Sequence, residues 1–141
     1  MKPFIFALLT ALFWGIAPIF GKMGLYKLPP LVALFVRTLA ISVVVGICLI
    51  FSYSKGYIPA FTLDKRSLIF IVLEGIFASF LGHFAYYYAL KEGNASFVVP
   101  LSATYPVFAL IFGLLFLKES LSFNKVVGAI IILIGIIVMK L

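Results

Sequence analysis

The sequence predicts an all-α integral membrane protein, a bundle of five transmembrane helices, and three observations carry that prediction. Of its 141 residues, 65% are hydrophobic and only 11% are charged, whereas roughly a quarter of the residues in a soluble domain are charged. The apolar residues gather into five long runs, and short connections rich in turn-forming residues separate them. A soluble domain of this size has no interior large enough for so much apolar surface, and the excess would drive aggregation. A bilayer accommodates it.

A hydrocarbon core of about 30 Å takes roughly 20 apolar residues of helix, at about 1.5 Å of rise each. The first helix is expected over 3–22, from an uncharged run beginning at Pro3. Met1-Lys2-Pro3 before an apolar run resembles a signal peptide, but Trp14, Pro18 and Phe20 replace a small-residue cleavage pattern, so the segment is read as retained. The second helix, over 28–54, contains one charge, Arg37, and the third, over 67–90, contains Glu74 and His83. The fourth, over 94–117, is uncharged; the fifth, over 124–141, is short, with Lys125 and Lys140 at its ends. Lysines so placed snorkel to the headgroups and let a short helix cross.

Gly21-Lys22-Met23-Gly24, Leu28-Pro29-Pro30, Lys91-Glu92-Gly93-Asn94 and Lys118-Glu119-Ser120 read as tight turns, which pack successive helices antiparallel. Only Tyr53–Arg66, with Gly56 and Pro59, is long enough for a loop. The whole chain, 1–141, is therefore read as a single five-helix domain, with any activity among the helices. Five crossings put the termini on opposite sides. Lys2, Lys55, Lys65, Arg66, Lys118 and Lys125 then share the amino-terminal side, and Lys22, Lys27, Lys91 and Lys140 the other. That bias weakly favours a cytoplasmic amino terminus and is small enough to allow insertion in both orientations.

The formal charge of +7 does not point to nucleic acid, because the 11 Lys and Arg lie mostly between apolar runs and form no patch with interleaved aromatics. Cys48, the single cysteine, excludes an internal disulfide and reads as a small hydrophobe in its helix. With one histidine, no carboxylate pair at workable spacing, no phosphate loop and no nucleophile elbow, the sequence offers no catalytic, cofactor or metal constellation. An enzyme is not expected.

The polar residues at membrane depth carry the candidate chemistry, since a charge in hydrocarbon costs about 2.5 kcal/mol or more. Glu74 is a candidate for proton coupling, Arg37 for an ion pair or for snorkelling, and His83 for a hydrogen bond to a neighbouring helix or a proton relay. Nine residues of regular helix would set Glu74 and His83 on opposite faces. Trp14 and Tyr105 fall near mid-membrane, where an interfacial aromatic belt does not account for them; they are candidate walls of a binding cavity. Tyr86, in the triplet Tyr86-Tyr87-Tyr88, suits either role. Pro18, Pro100 and Pro106 remove backbone donors within the first and fourth runs, and such interruptions serve either as packing kinks or as cavity linings. Two prolines flanking Ser102 and Thr104 favour a cavity-lining fourth helix. Gly128 and Gly135 share one face of the fifth helix and mark close packing.

Leu12-Phe13-Trp14-Gly15 with Pro18 and Lys22, Leu34-Phe35-Val36-Arg37, Tyr86 to Ala89 followed by Gly93-Asn94-Ala95-Ser96, Pro106-Val107-Phe108, Leu117-Lys118-Glu119, and Gly128 with Gly135 occur in order along the chain. Together they resemble one unit of the EamA-type proteins of the drug/metabolite transporter superfamily. Glu74 and His83 stand outside that resemblance. Family members commonly carry two such units of inverted topology with the substrate cavity between them. The resemblance thus implies an antiparallel homodimer in the cell membrane that moves a small metabolite or drug-like solute by alternating access. Its cavity would lie near Trp14, Pro18, Tyr86, Pro100, Thr104 and Tyr105. A lipid-carrier flippase subunit and a non-transporting membrane partner are the alternatives. In an inverted pair, Glu74 of one copy would share its depth with Arg37 of the other.

Overall fold

A computed structural model describes residues 2–57 and 64–140. All regular structure among them is helical: α1 (Lys2–Leu25), α2 (Pro30–Ser54), α3 (Lys65–Glu74), a π-helical segment (Gly75–Gly82), α4 (His83–Glu92), α5 (Ala95–Ser102), α6 (Tyr105–Leu117) and α7 (Phe123–Lys140). Four stretches are long and apolar enough to cross a membrane, namely Pro3–Leu25, Pro30–Ser54, Lys65–Glu92 and Ala95–Leu117, and Phe123–Met139 is a shorter apolar helix. Two of these spans are composite: the third joins α3, the π segment and α4, and the fourth joins α5 and α6.

Local chemistry sets the ends of these helices. Pro29 and Pro30 open α2, because proline fits a first turn whose N–H groups have no helical partner. Asp64 caps α3: its carboxylate accepts from the Ser67 N–H at 2.8 Å and from the Ser67 hydroxyl at 2.9 Å. The Ser67 backbone bond chiefly, with the hydroxyl second, holds the Asp64 carboxyl below its ordinary range. α6 stops at Lys118, which adopts a left-handed conformation with φ of 53° while the Glu119 N–H returns to the Gly113 carbonyl at 3.2 Å. The expected loop at Tyr53–Arg66 falls partly outside the described residues, Pro59 with it.

The chain resolves into two compact units, Met1–Ile19 with Glu92–Leu141, and Phe20–Lys91. In the first, α5 lies against α7 and Val98 is buried. In the second, Leu25, Leu34, Tyr87 and Leu90 are buried, so its packed interior gathers where α1 ends, α2 begins and α4 ends. A lysine clasp holds the same end: the Lys22 ammonium donates to the carbonyls of Leu90 (2.7 Å) and Lys91 (3.0 Å), and Lys91 donates to the Leu28 carbonyl (3.2 Å). Cations are favoured at a helix carboxyl end, where the last carbonyls lack partners. Elsewhere large apolar side chains point outwards along every span, as a protein solvated by lipid requires.

Candidate functional site

In the unit containing the fourth span, the candidate site grows from a broken helix. Pro106 stands in the first turn of α6 and has no N–H to continue a helix from α5. The backbone turns at Ala103 and Thr104 instead. The turn is well bonded: the Ala103 N–H reaches Val99 at 3.0 Å, the Thr104 N–H and hydroxyl reach the Leu101 carbonyl at 3.2 and 2.9 Å, and the Val107 N–H returns to Thr104 at 2.9 Å. Pro100 lies inside α5, two residues before its last residue, Ser102. Directly after it, the Tyr105 ring meets the Trp14 indole edge to face, with centroids 6.3 Å apart and planes inclined at 67°. Trp14 is 60% exposed and Tyr105 56% exposed, so the pair presents aromatic surface to whatever lies beside it. Pro18 is buried within α1. The structure thus brings Trp14 and Tyr105 into contact, with Thr104 in the break beside Tyr105 and Pro100 in the helix before it.

Tyr86, Glu74, His83 and Arg37 belong to the other unit. His83 begins α4, and its Nδ1 lies 2.9 Å from the Ala78 carbonyl. Since a carbonyl only accepts, Nδ1 carries the proton, and in the neutral ring Nε2 is left as an acceptor. The rings of Tyr86 and Tyr87 both stand edge to face with the imidazole at 6.3 Å. His83 bonds its own helix here, where a neighbouring helix was expected. Glu74 is exposed and Arg37 half-buried, and among the described residues neither shows a partner. The expectation that Glu74 and His83 face opposite ways presumed a regular α-helix. The residues between them are π-helical, and a wider turn places successive residues at smaller angular steps.

Two features were missed in the sequence. A groove of about 850 Å³ opens along α6 and α7, lined by apolar residues such as Ala109, Phe112 and Ile132, with Glu119, Asn124 and Lys125 supplying the polar groups. Glu119 belongs to a quoted motif, but only the αL turn at Lys118 folds its carboxylate back over Gly113, where Oε2 lies 3.6 Å from the position of an added Cβ. The Lys22 clasp is likewise invisible in the sequence, because nothing there states which carbonyls a lysine will find.

Helices with interrupted spans, aromatic surface beside a proline break and isolated polar groups at membrane depth define the class: a multi-pass membrane protein built as transport proteins are. The particular family follows from comparison. The profile of the EamA-like transporter family matches residues 1–141, and the chain belongs to that family. It is 32% identical over 137 residues to an uncharacterized protein of Methanocaldococcus jannaschii, covering 97% of this chain and 95% of that one. It is 35% identical over 136 residues to an uncharacterized transporter of Archaeoglobus fulgidus, covering 96% of this chain but only 46% of the relative. An uncharacterized transporter in the cobO 3' region of a Sinorhizobium species is 32% identical over 129 residues, covering 92% of this chain and 89% of that protein. No solved structure matches the chain.

Proposed function

We propose that this chain, as a single five-helix domain, transports a small metabolite or drug-like solute across the cell membrane by alternating access, working as an antiparallel homodimer. The observation that carries the reading is the broken fourth span with the Trp14–Tyr105 pair beside it. A proline break removes a backbone donor and so leaves a carbonyl of the preceding turn without its helical partner, and aromatic faces supply apolar contact for a solute. Trp14, Pro18, Tyr86, Pro100, Thr104 and Tyr105 are the candidate cavity residues. Glu74 couples transport to protons by exchanging its proton as solute binds and leaves, and His83 serves as a proton relay. The chemistry of the chain favours transport over catalysis.

The dimer is supported by the lengths of the relatives. The chain spans about half of the Archaeoglobus fulgidus transporter and nearly all of the Methanocaldococcus jannaschii protein. A unit that occurs both within a longer chain and at this length is served by pairing with a second copy. The near-balanced loop charges favour inverted pairing, and inversion sets Arg37 and Glu74 of different copies at one depth, which offsets the cost of burying each.

Reconstitution into vesicles with a panel of solutes, with and without a pH gradient, tests the reading. Gradient-driven uptake that Glu74→Gln abolishes, without loss of folded protein, is the expected result. Uptake that keeps its full gradient dependence in Glu74→Gln removes that residue from coupling, and no uptake of any solute counts against transport. Crosslinks between Arg37→Cys and Glu74→Cys copies on a Cys48→Ala background test the inverted dimer. Efficient self-crosslinking of Glu74→Cys instead indicates a parallel one. The largely apolar lining of the α6–α7 groove favours one second reading, a flippase subunit whose lipid-linked substrate enters from the bilayer; retention of such a lipid through purification would support it.

A further inference from the structure

The third span contains no proline, yet its centre departs from α-helical geometry over the eight residues Gly75–Gly82. Short π-helical insertions are uncommon and cluster at functional positions. Two neighbouring residues at the carboxyl end of this one fit the wide turn in separate ways. At Gly82, an added Cβ would stand 3.1 Å from the Phe77 carbonyl oxygen, tighter than most Cβ contacts, so that carbonyl would have to give by a few tenths of an ångström to admit a side chain. At His83, the imidazole Nδ1 donates to the Ala78 carbonyl, which also receives a backbone N–H at the end of the segment. Tyr86 and Tyr87 hold the ring in that orientation from its sides.

We propose that Gly82 and His83 are positioning residues that hold the centre of the third span in its π-helical form, and that this form sets Glu74 on the His83 side of the helix. At 3.6 residues per turn, the steps from Glu74 to His83 make about two and a half turns and leave the side chains on opposite faces. Bonds from i to i+5 lengthen each turn by roughly one residue, which removes a quarter turn or more over the segment. Glu74 and the Nε2 acceptor of His83 then lie within about a quarter turn of each other along one side of the span. Reversion to a regular α-helix would swing the Glu74 half away from the His83 half. The consequence for transport rests on the coupling role proposed above for Glu74; the geometric content does not.

The single histidine makes the test direct. In the full chain reconstituted in bilayers with 15N-histidine and 13C-alanine, solid-state NMR is expected to show a protonated Nδ1, a bare Nε2 and a close Nδ1–carbonyl correlation to Ala78. Absence of that correlation in the unaltered protein overturns the proposal. Gly82→Ala is expected to abolish it and shift the ring towards the Nε2–H form; a Gly82→Ala protein that keeps the correlation overturns the role of Gly82. If that variant does not fold, thiol labelling of single cysteines at Phe70, Ile71, Val72 and Leu73 on the Cys48→Ala background gives a second measurement. The labelling maximum is expected to move by one residue in His83→Leu and to return in His83→Gln, whose amide restores the donor. An unmoved maximum in His83→Leu overturns the role of His83. Should these shifts occur while no variant alters transport, the π geometry stands and the coupling role of Glu74 falls.

Discussion

The third and fourth spans are both interrupted along their length, but by different means. The fourth is broken by chemistry visible in one letter: Pro106 cannot donate, so the chain turns at Ala103–Thr104 and starts a new helix. The third keeps all its donors and widens instead, with Gly82 set close against one carbonyl and His83 bonding another. A break replaces the helical ladder with a local turn and leaves aromatic surface beside it, as at Trp14 and Tyr105. A widened turn changes which residues share a side without freeing the backbone, as between Glu74 and His83. Proline therefore interrupts the helix at one point, while a π segment shifts the side on which groups already present stand.

Four outcomes would sharpen or break this contrast. The largest effect is expected where the third span is anchored. Leu90, fully buried at the end of α4, should lose about 2 kcal/mol or more of stability on Leu90→Ala. Leu115→Ala, on the outward side of the fourth span and 64% exposed, should be near neutral, so equal losses in detergent unfolding would mean the two spans are anchored alike.

Next, Tyr105→Ala removes an edge-to-face contact worth about 1 kcal/mol, and solute binding in the reconstituted protein should weaken five- to tenfold. Tyr105→Phe keeps the ring and should stay within twofold. Loss of binding in both variants would shift the argument from the aromatic face to the hydroxyl.

A smaller change, opposite in sign, is expected where the fourth span ends. Lys118 holds a left-handed conformation that costs a non-glycine residue about 1 kcal/mol, so Lys118→Gly should raise the thermal midpoint by a few degrees. An unchanged midpoint would mean the turn is relaxed by other contacts.

The smallest effect belongs to the cap of α3. Asp64 has its carboxyl lowered by the Ser67 bonds, so its contribution is complete above its ordinary value near 3.8 and is lost as pH falls through the lower folded value. A melting series from pH 6 to pH 3 should show a slight acid-side loss that Asp64→Asn lacks; identical profiles would mean the cap contributes nothing in solution.

Composition and the spacing of apolar runs sufficed to place the helices, because a lipid-solvated helix announces itself by length and hydropathy rather than by its partners. Pro100, Thr104 and Pro106 located the interruption of the fourth span, since proline acts on the backbone wherever it stands. Trp14 was legible as a candidate aromatic in the first apolar run, but only the fold put its indole on Tyr105. The side of the helix that Glu74 shares, the carbonyls that Lys22 and His83 bind, and the groove beneath Glu119 lay beyond the sequence. Each depends on a turn width, a backbone dihedral or a residue far along the chain. Hydropathy and proline are properties of single residues and survive in a linear reading; azimuth, clasp and cavity are relations between residues, and only tertiary structure supplies them.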